Sequence, residues 1–152
     1  FHLLLKGTFY IINIGGNRFM CIFCKIVNGE IPAYKIYEDD NILAFLDIGQ
    51  VTIGHTLVIP KKHVQNIFEL DSETAKKLFD KVVLVAKKLK KALNIENLNL
   101  INNNGSLAYQ SVFHYHIHLI PRYENDEFKI TFPTNKLTEK EFKDLEEKIK
   151  NA

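Results

Sequence analysis

Between residues 114 and 120 the chain alternates without a break: His114-Tyr115-His116-Ile117-His118-Leu119-Ile120. No other stretch constrains the fold as strongly, because a β-strand sends successive side chains to opposite faces of its sheet. His114, His116 and His118 then share one face, while Tyr115, Ile117 and Leu119 share the other and turn toward a core. The segment predicts a strand with one chemical face and one structural face.

Other segments supply the sheet that such a strand needs. Short β-rich runs at 34–38, 42–47, 56–60, 98–103 and 114–121 are separated by Asp-Asp-Asn, Gly and Pro signals. Between the third and fourth lies Ser72–Leu93, where Leu78, Val82, Val85 and Leu89 recur at helical spacing with lysines opposite, which predicts one amphipathic helix. A second helix is predicted after Thr138, whose T-x-x-E pattern with Glu141 forms a capping box ahead of Phe142, Leu145 and Ile149. Strands follow one another with few helices between them, so the class is α+β with a mainly antiparallel sheet of about five strands.

The chain has 152 residues, 46% of them hydrophobic and 25% charged, which suits one ordinary domain whose core needs no disulfide framework. No repeat, linker or second domain is apparent. Residues 1–19, ahead of Met20, read as a non-native or disordered leader, 20–123 as the domain, and 124–152 as a C-terminal extension carrying the second helix. The apolar runs near the start are too short to span a membrane and lack the layout of a signal peptide, so a cytoplasmic location is the default expectation.

A net charge of +2 gives no field that argues for nucleic-acid or membrane partners. The 20 basic residues divide into 18 Lys and 2 Arg, so bidentate arginine contacts cannot be the main grip on a phosphate. The histidine row can supply another. A neutral imidazole is a nucleophile and a protonated one a strong donor, and the two forms interconvert near pH 7. The central imidazole can attack phosphorus while its other nitrogen donates to a backbone carbonyl, with flanking groups stabilising charge on the phosphoryl oxygens. The spacing alone also allows a metal site of all three histidines, or a merely polar strand face. Cys21 and Cys24 form a single C-x-x-C, read as metal ligands or a redox pair.

Together these blocks resemble the histidine triad (HIT) superfamily. The resemblance covers about residues 21–123, from Cys-Ile-Phe-Cys-Lys-Ile-Val-Asn-Gly-Glu-Ile-Pro through Ala44-Phe45-Leu46-Asp47-Ile48, Gly54-His55-Thr56-Leu57-Val58-Ile59-Pro60-Lys61-Lys62-His63 and Asn102-Asn103-Asn104-Gly105 to the triad itself. It is greatest with the histidine triad nucleotide-binding proteins and their bacterial-type relatives, which implies a HIT-like fold, a homodimer and hydrolysis of purine nucleoside phosphoramidates and related nucleotidyl bonds.

Carried over to matching positions, the resemblance makes His116 the nucleophile that forms a nucleotidyl-histidine. His118 would stabilise the phosphoryl oxygens, Ser111 would lie beside the bridging atom of the leaving group, and His55 would buttress the triad. Asp47 would accept both ribose hydroxyls, Asn103 would donate to phosphate, and Gln110 belongs with the substrate-binding positions. Ile22, Phe23, Ile26, Phe45 and Ile48 would sandwich the purine. Read alone, Ser111 and Asn103 could equally be strand-entry and turn residues, Asp47 could start the turn before Gly49, and the five apolar residues could be plain core.

Relatives that keep the cysteine pair resemble zinc proteins, which implies a structural Zn²⁺ on Cys21, Cys24, His63 and His114, with every coordination place filled by protein. A thioredoxin-like pair or idle thiols are the alternatives. Because the third histidine is kept as His118, hydrolysis is favoured over uridylyl transfer. A dinucleoside polyphosphate hydrolase of the fragile histidine triad type is the runner-up. A purine-nucleotide-binding regulatory module with little turnover and a zinc-stapled interaction domain are the readings from other classes. Residues 123–152 have no counterpart in the eukaryotic branch, which leaves the choice of leaving group open.

Overall fold

The computed structural model describes residues 21–152, so the leader expected over residues 1–19 lies outside the described residues. Five strands form one sheet in the order β1-β2-β3-β5-β4, with every neighbouring pair antiparallel. They are β1 (Lys35–Glu38), β2 (Ile42–Leu46), β3 (Thr56–Pro60), β4 (Asn97–Ile101) and β5 (Ile117–Arg122). Three helices accompany them: α1 (Ile22–Val27), α2 (Ser72–Leu93) and α3 (Glu139–Lys150). The class is α+β, as the spacing of strand and helix signals predicts.

The long helix forms where its periodicity places it. Asp71 caps its N-terminus, Oδ1 accepting from the Thr74 amide at 2.8 Å, and Asn94 closes it in the left-handed region at φ 52°. Its buried stripe is Leu78, Val82, Val85 and Leu89. That stripe packs on Ile42, Ala44, Val58, Ile117 and Leu119 of the sheet and on Tyr115 just ahead of β5. The opposite face is also covered, since Leu43, Phe45, Leu57 and Ile59 pack against Cys21, Phe23, Cys24 and Ile26 of the N-terminal segment. The division into a chemical and a structural face therefore needs refinement: the histidine face is itself half core. A six-residue helix, too short to show a period, provides that cover.

The triad strand is shorter than the predicted run 114–121. β5 begins at Ile117, so His114 and His116 precede the ladder. The reason is a long-range backbone bond. The amide of Tyr115 donates to the Val64 carbonyl at 2.6 Å, in the segment after β3, and not to a strand neighbour. The alternation survives this departure, with Tyr115, Ile117 and Leu119 all in the α2 core. At the other edge β4 ends at Ile101, releasing Asn102 and Asn103 from the strand, and β2 ends at Leu46, which leaves Asp47 just beyond it.

After β5, Arg122 ties the extension down. Its guanidinium donates twice to Asp126, at 2.9 Å each, to Asn99 Oδ1 at 2.7 Å and to the Phe128 carbonyl at 2.7 Å. One of the two arginines is thereby structural. α3 opens on the predicted capping box, with the Thr138 amide donating to Glu141 Oε2 at 2.7 Å, and it buries none of its residues.

Candidate functional site

His116 is 3% exposed. Its Nδ1 is 2.6 Å from the carbonyl oxygen of His114. A carbonyl can only accept, so Nδ1 carries the proton and Nε2 is left with its lone pair. The His116 carbonyl accepts from Asn102 Nδ2 at 2.8 Å, and Asn102 Oδ1 accepts in turn from Asn104 at 2.6 Å. The ring of Phe23 meets the imidazole edge-on, centroids 5.2 Å apart. Backbone, amide and aromatic neighbour thus fix the position, tautomer and orientation of one ring. Burial pushes its pKa below the usual histidine value.

His118 is adjacent, its ring centroid 4.9 Å from that of His116. Burial, with the neighbouring His116 and His55, drives its pKa down to about 3. His118 Nδ1 shares a 2.9 Å hydrogen bond with Nε2 of His55. His55 Nδ1 lies between the Gly49 carbonyl at 3.3 Å and the Val51 amide at 3.4 Å, one an acceptor and the other a donor, so either tautomer finds a partner. Desolvation lowers the pKa of His55 as well.

Asp47 stands behind His55 and is 2% exposed. One carboxylate oxygen, Oδ1, accepts from the Gly49 amide at 2.8 Å. The other, Oδ2, is buried without a hydrogen-bond partner and lies 3.8 Å from His55 Nε2. That separation exceeds hydrogen-bond reach. Desolvation raises the pKa of Asp47 and lowers that of His55, so burial works against charge on both groups. Gln50 closes the loop around them, its Nε2 donating to the carbonyls of Asp47 and His55 and its Oε1 accepting from the Gly54 amide at 2.7 Å.

The loop after β4 carries the remaining candidates. Gln110 is buried, with Oε1 accepting from the Gly105 amide at 2.7 Å and Nε2 donating to the carbonyls of Gln65 at 2.7 Å and Val112 at 3.2 Å. Its amide braces the loop that presents Ser111. Ser111 is exposed and Asn103 half-buried. Of the apolar five, Phe23, Ile26 and Phe45 are buried, Phe23 edge-on to His114 and His116; Ile22 is half-buried, and Ile48 is 61% exposed past the end of β2. Asn102, Gln50 and the Pro60 carbonyl were not singled out by sequence reasoning. Asn102 is one of three consecutive asparagines, a run that signals a turn without saying which amide turns inward.

Cys21, Cys24, His63 and His114 converge on one another. One donor atom from each lies within 4.8 Å of all the others. Cys24 Sγ is 3.2 Å from His63 Nδ1 and 3.5 Å from His114 Nδ1, and Cys21 Sγ is also 3.5 Å from His114 Nδ1. His114 Nε2 donates to the Pro60 carbonyl at 2.7 Å, which leaves Nδ1 aimed at the thiols with a lone pair. Burial and the neighbouring imidazoles push the pKa of His114 down to about 4, so it is neutral, the form that ligates metal. Two thiols and two imidazoles with an oriented outer partner make a donor set that fits Zn²⁺.

Comparison with known proteins agrees with this geometry. The HIT domain matches residues 28–125. Protein hit of Bacillus subtilis is 53% identical over 116 residues, which is 76% of this chain and 80% of that protein. The adenosine 5′-monophosphoramidase hnt1 of Schizosaccharomyces pombe is 43% identical over 131 residues, 85% of this chain and 95% of that one. Among solved structures, a HIT family protein of Bacillus subtilis superposes with a TM-score of 0.83 at 46% identity, covering 87% of this chain and 96% of that one. A zinc-bound histidine triad family protein of Mycobacterium smegmatis superposes at 0.70 with 37% identity, over 78% and 86% of the two chains. With its triad geometry, its fold and its sequence all in agreement, this chain belongs to the HIT family.

Proposed function

We propose that the protein is a purine nucleoside phosphoramidase, a nucleotidyl hydrolase that works through a nucleotidyl-histidine on His116. The observation that carries the reading is the 2.6 Å bond from His116 Nδ1 to the His114 carbonyl, which leaves Nε2 as an oriented nucleophile in a neutral ring. Nε2 attacks the α-phosphorus, the bond from phosphorus to the leaving nitrogen breaks, and the departing amine takes up a proton from solvent. Water then attacks the phosphorus, releasing the nucleoside monophosphate and the free imidazole. His118, Ser111 and Asn103 contact phosphoryl oxygens and the bridging atom, while His55 holds His118 in place. Asp47 binds the ribose hydroxyls, and Gln110 acts on the ligand by holding the loop of Ser111. Ile22, Phe23, Ile26, Phe45 and Ile48 flank the purine. The similarity to an adenosine 5′-monophosphoramidase supports the choice of substrate class.

Zinc on Cys21, Cys24, His63 and His114 would be structural, supplying a fourfold cross-link between the N-terminal segment and the sheet. A zinc-bound family member supports that assignment. A homodimer is part of the proposal, with the two α2 helices and β4 strands meeting at the two-fold. Exposed Phe79 and Val83 on α2 and Leu100 on β4 favour that surface. No described helix is long and apolar enough to cross a membrane. We place the protein in the cytoplasm, without a nucleic-acid partner.

The test is quenched-flow mass spectrometry with an adenosine 5′-phosphoramidate and, separately, a diadenosine polyphosphate. A transient adenylyl adduct on His116 with fast turnover of the phosphoramidate is the expected result. Fast turnover of the dinucleotide alone would favour the polyphosphate hydrolase. AMP binding without any adduct would favour a regulatory nucleotide-binding module.

A further inference from the structure

A second group of ligating atoms lies on the opposite flank of His116 from the cysteine site. Asp47 Oδ2, His55 Nε2 and a His118 ring nitrogen lie within 4.8 Å of one another. Two observations set this group apart from an ordinary polar cluster. The first is the Asp47 Oδ2 atom, buried and without a hydrogen-bond partner. A buried acceptor left unpaired is costly and calls for a partner. The second is the pair of imidazoles beside it, joined nitrogen to nitrogen at 2.9 Å, with His55 Nε2 also 3.8 Å from Asp47 Oδ2. Two ring nitrogens in such contact share one proton, and both rings are pushed toward the neutral form.

We propose that Asp47, His55 and His118 form a binding site for a divalent transition ion of the zinc class, distinct from the cysteine site and placed in the catalytic pocket. Bonds of about 2.0 to 2.1 Å in tetrahedral geometry put ligand atoms about 3.4 Å apart. The 2.9 Å and 3.8 Å separations bracket that value, so small shifts complete the site. The ion takes the place of the proton shared by the imidazoles. His55 then donates Nδ1–H to the Gly49 carbonyl, the outer contact that orients a ligating histidine. Two imidazoles and one carboxylate favour Zn²⁺ or Co²⁺ over Mg²⁺ or Ca²⁺, which prefer all-oxygen shells. His118 is the least buried of the three and gives the ion its way in. The fourth place is left for water or a phosphoryl oxygen.

The consequence for turnover rests on the nucleotide reading above. If Asp47 holds the ribose and His118 the phosphate, the ion and the nucleotide compete for the same atoms, and zinc inhibits. The site itself is tested without activity. Native mass spectrometry of the full chain titrated with Zn²⁺ should give two ions per chain for the wild type and one for Asp47→Asn and for His118→Ala. With Co²⁺, the second equivalent should add ligand-field absorption without a further thiolate charge-transfer band. A wild type that never exceeds one ion overturns the proposal, as does a second ion that survives in both variants or brings a thiolate band. Circular dichroism of the variants checks that they fold, and the cobalt spectrum of the wild type stands without them. AMP should displace the second ion. A second ion unaffected by AMP leaves the metal site standing and overturns the placement of ribose on Asp47.

Discussion

The Nδ1–H of His116 donates to the carbonyl oxygen of His114, two residues back along the same chain, at 2.6 Å. One residue therefore sets the tautomer of the other. His116→Ala should abolish turnover while leaving nucleotide affinity within about tenfold, since on the proposed mechanism it removes the attacking nitrogen and not the proposed purine pocket. Calorimetric AMP binding beside steady-state kinetics measures both quantities. Equal losses in binding and turnover would contradict the role.

The acid limb of the reaction should lie well below the usual histidine range. Burial lowers the pKa of His116, and that of His118 falls to about 3. An exposed imidazole would be half protonated near about pH 6.5. Here kcat/KM should stay level from about pH 8 to 6, and a midpoint at 6.5 would count against the assignment. Stability follows the same sign. The unfolded chain takes up protons on His118 as pH falls through about 6.5, whereas the folded chain resists until about 3, so stability present above pH 6.5 is progressively lost below it. Urea unfolding at a series of pH values reads this directly.

Metal removal should loosen the fold without removing the nucleophile. The zinc-fitting set joins the N-terminal segment to His63 and His114, and it does not include His116, the proposed nucleophile. At free zinc about a hundred times its dissociation constant, chelation should lower the thermal midpoint by about 5 to 10 °C. Cys21→Ser should reproduce most of that loss and respond little to added zinc. A midpoint unmoved by chelation in a zinc-loaded sample would remove the structural role.

Gly54 is a single-residue test of the loop that holds His55. Its φ is +90°, and an added Cβ would lie 2.3 Å from Leu93 Cδ1 and 3.2 Å from Pro121 Cγ. Gly54→Ala should cost about 1 to 3 kcal/mol from backbone strain, plus whatever Leu93 must yield. Because the next residue is His55, kcat should fall along with stability. Chemical denaturation and kinetics of the same sample test both.

What the sequence disclosed follows the strength of each local signal. α2 is legible in the sequence because its amphipathic period runs unbroken through 22 residues. The capping box of α3 and the whole of β3 were equally plain. α1 was not, since six residues hold less than two turns and its burial depends on contacts with the distant Leu57 and Ile59. The start of β5 is expected three residues too early because the Tyr115 amide is claimed by Val64, fifty-one positions away in sequence. At the site, the four zinc-fitting residues were named from the motif blocks and do converge. The unpartnered oxygen of Asp47 and the support of Asn102 depend on which way a loop turns, and no spacing rule reports that.

His114 touches three things at once: the thiols through Nδ1, Pro60 through Nε2, and His116 through its own carbonyl. A descendant of this chain that discards the cysteines therefore inherits a packing problem inside its catalytic apparatus. Whatever fills the vacated corner must keep that imidazole upright, or the carbonyl tilts and the His116 ring, the proposed nucleophile, loses its aim. Redesign of the two sites is a joint exercise, and a library that randomises the cysteine corner alone should return active variants only where the new side chains hold His114 as the old ones did.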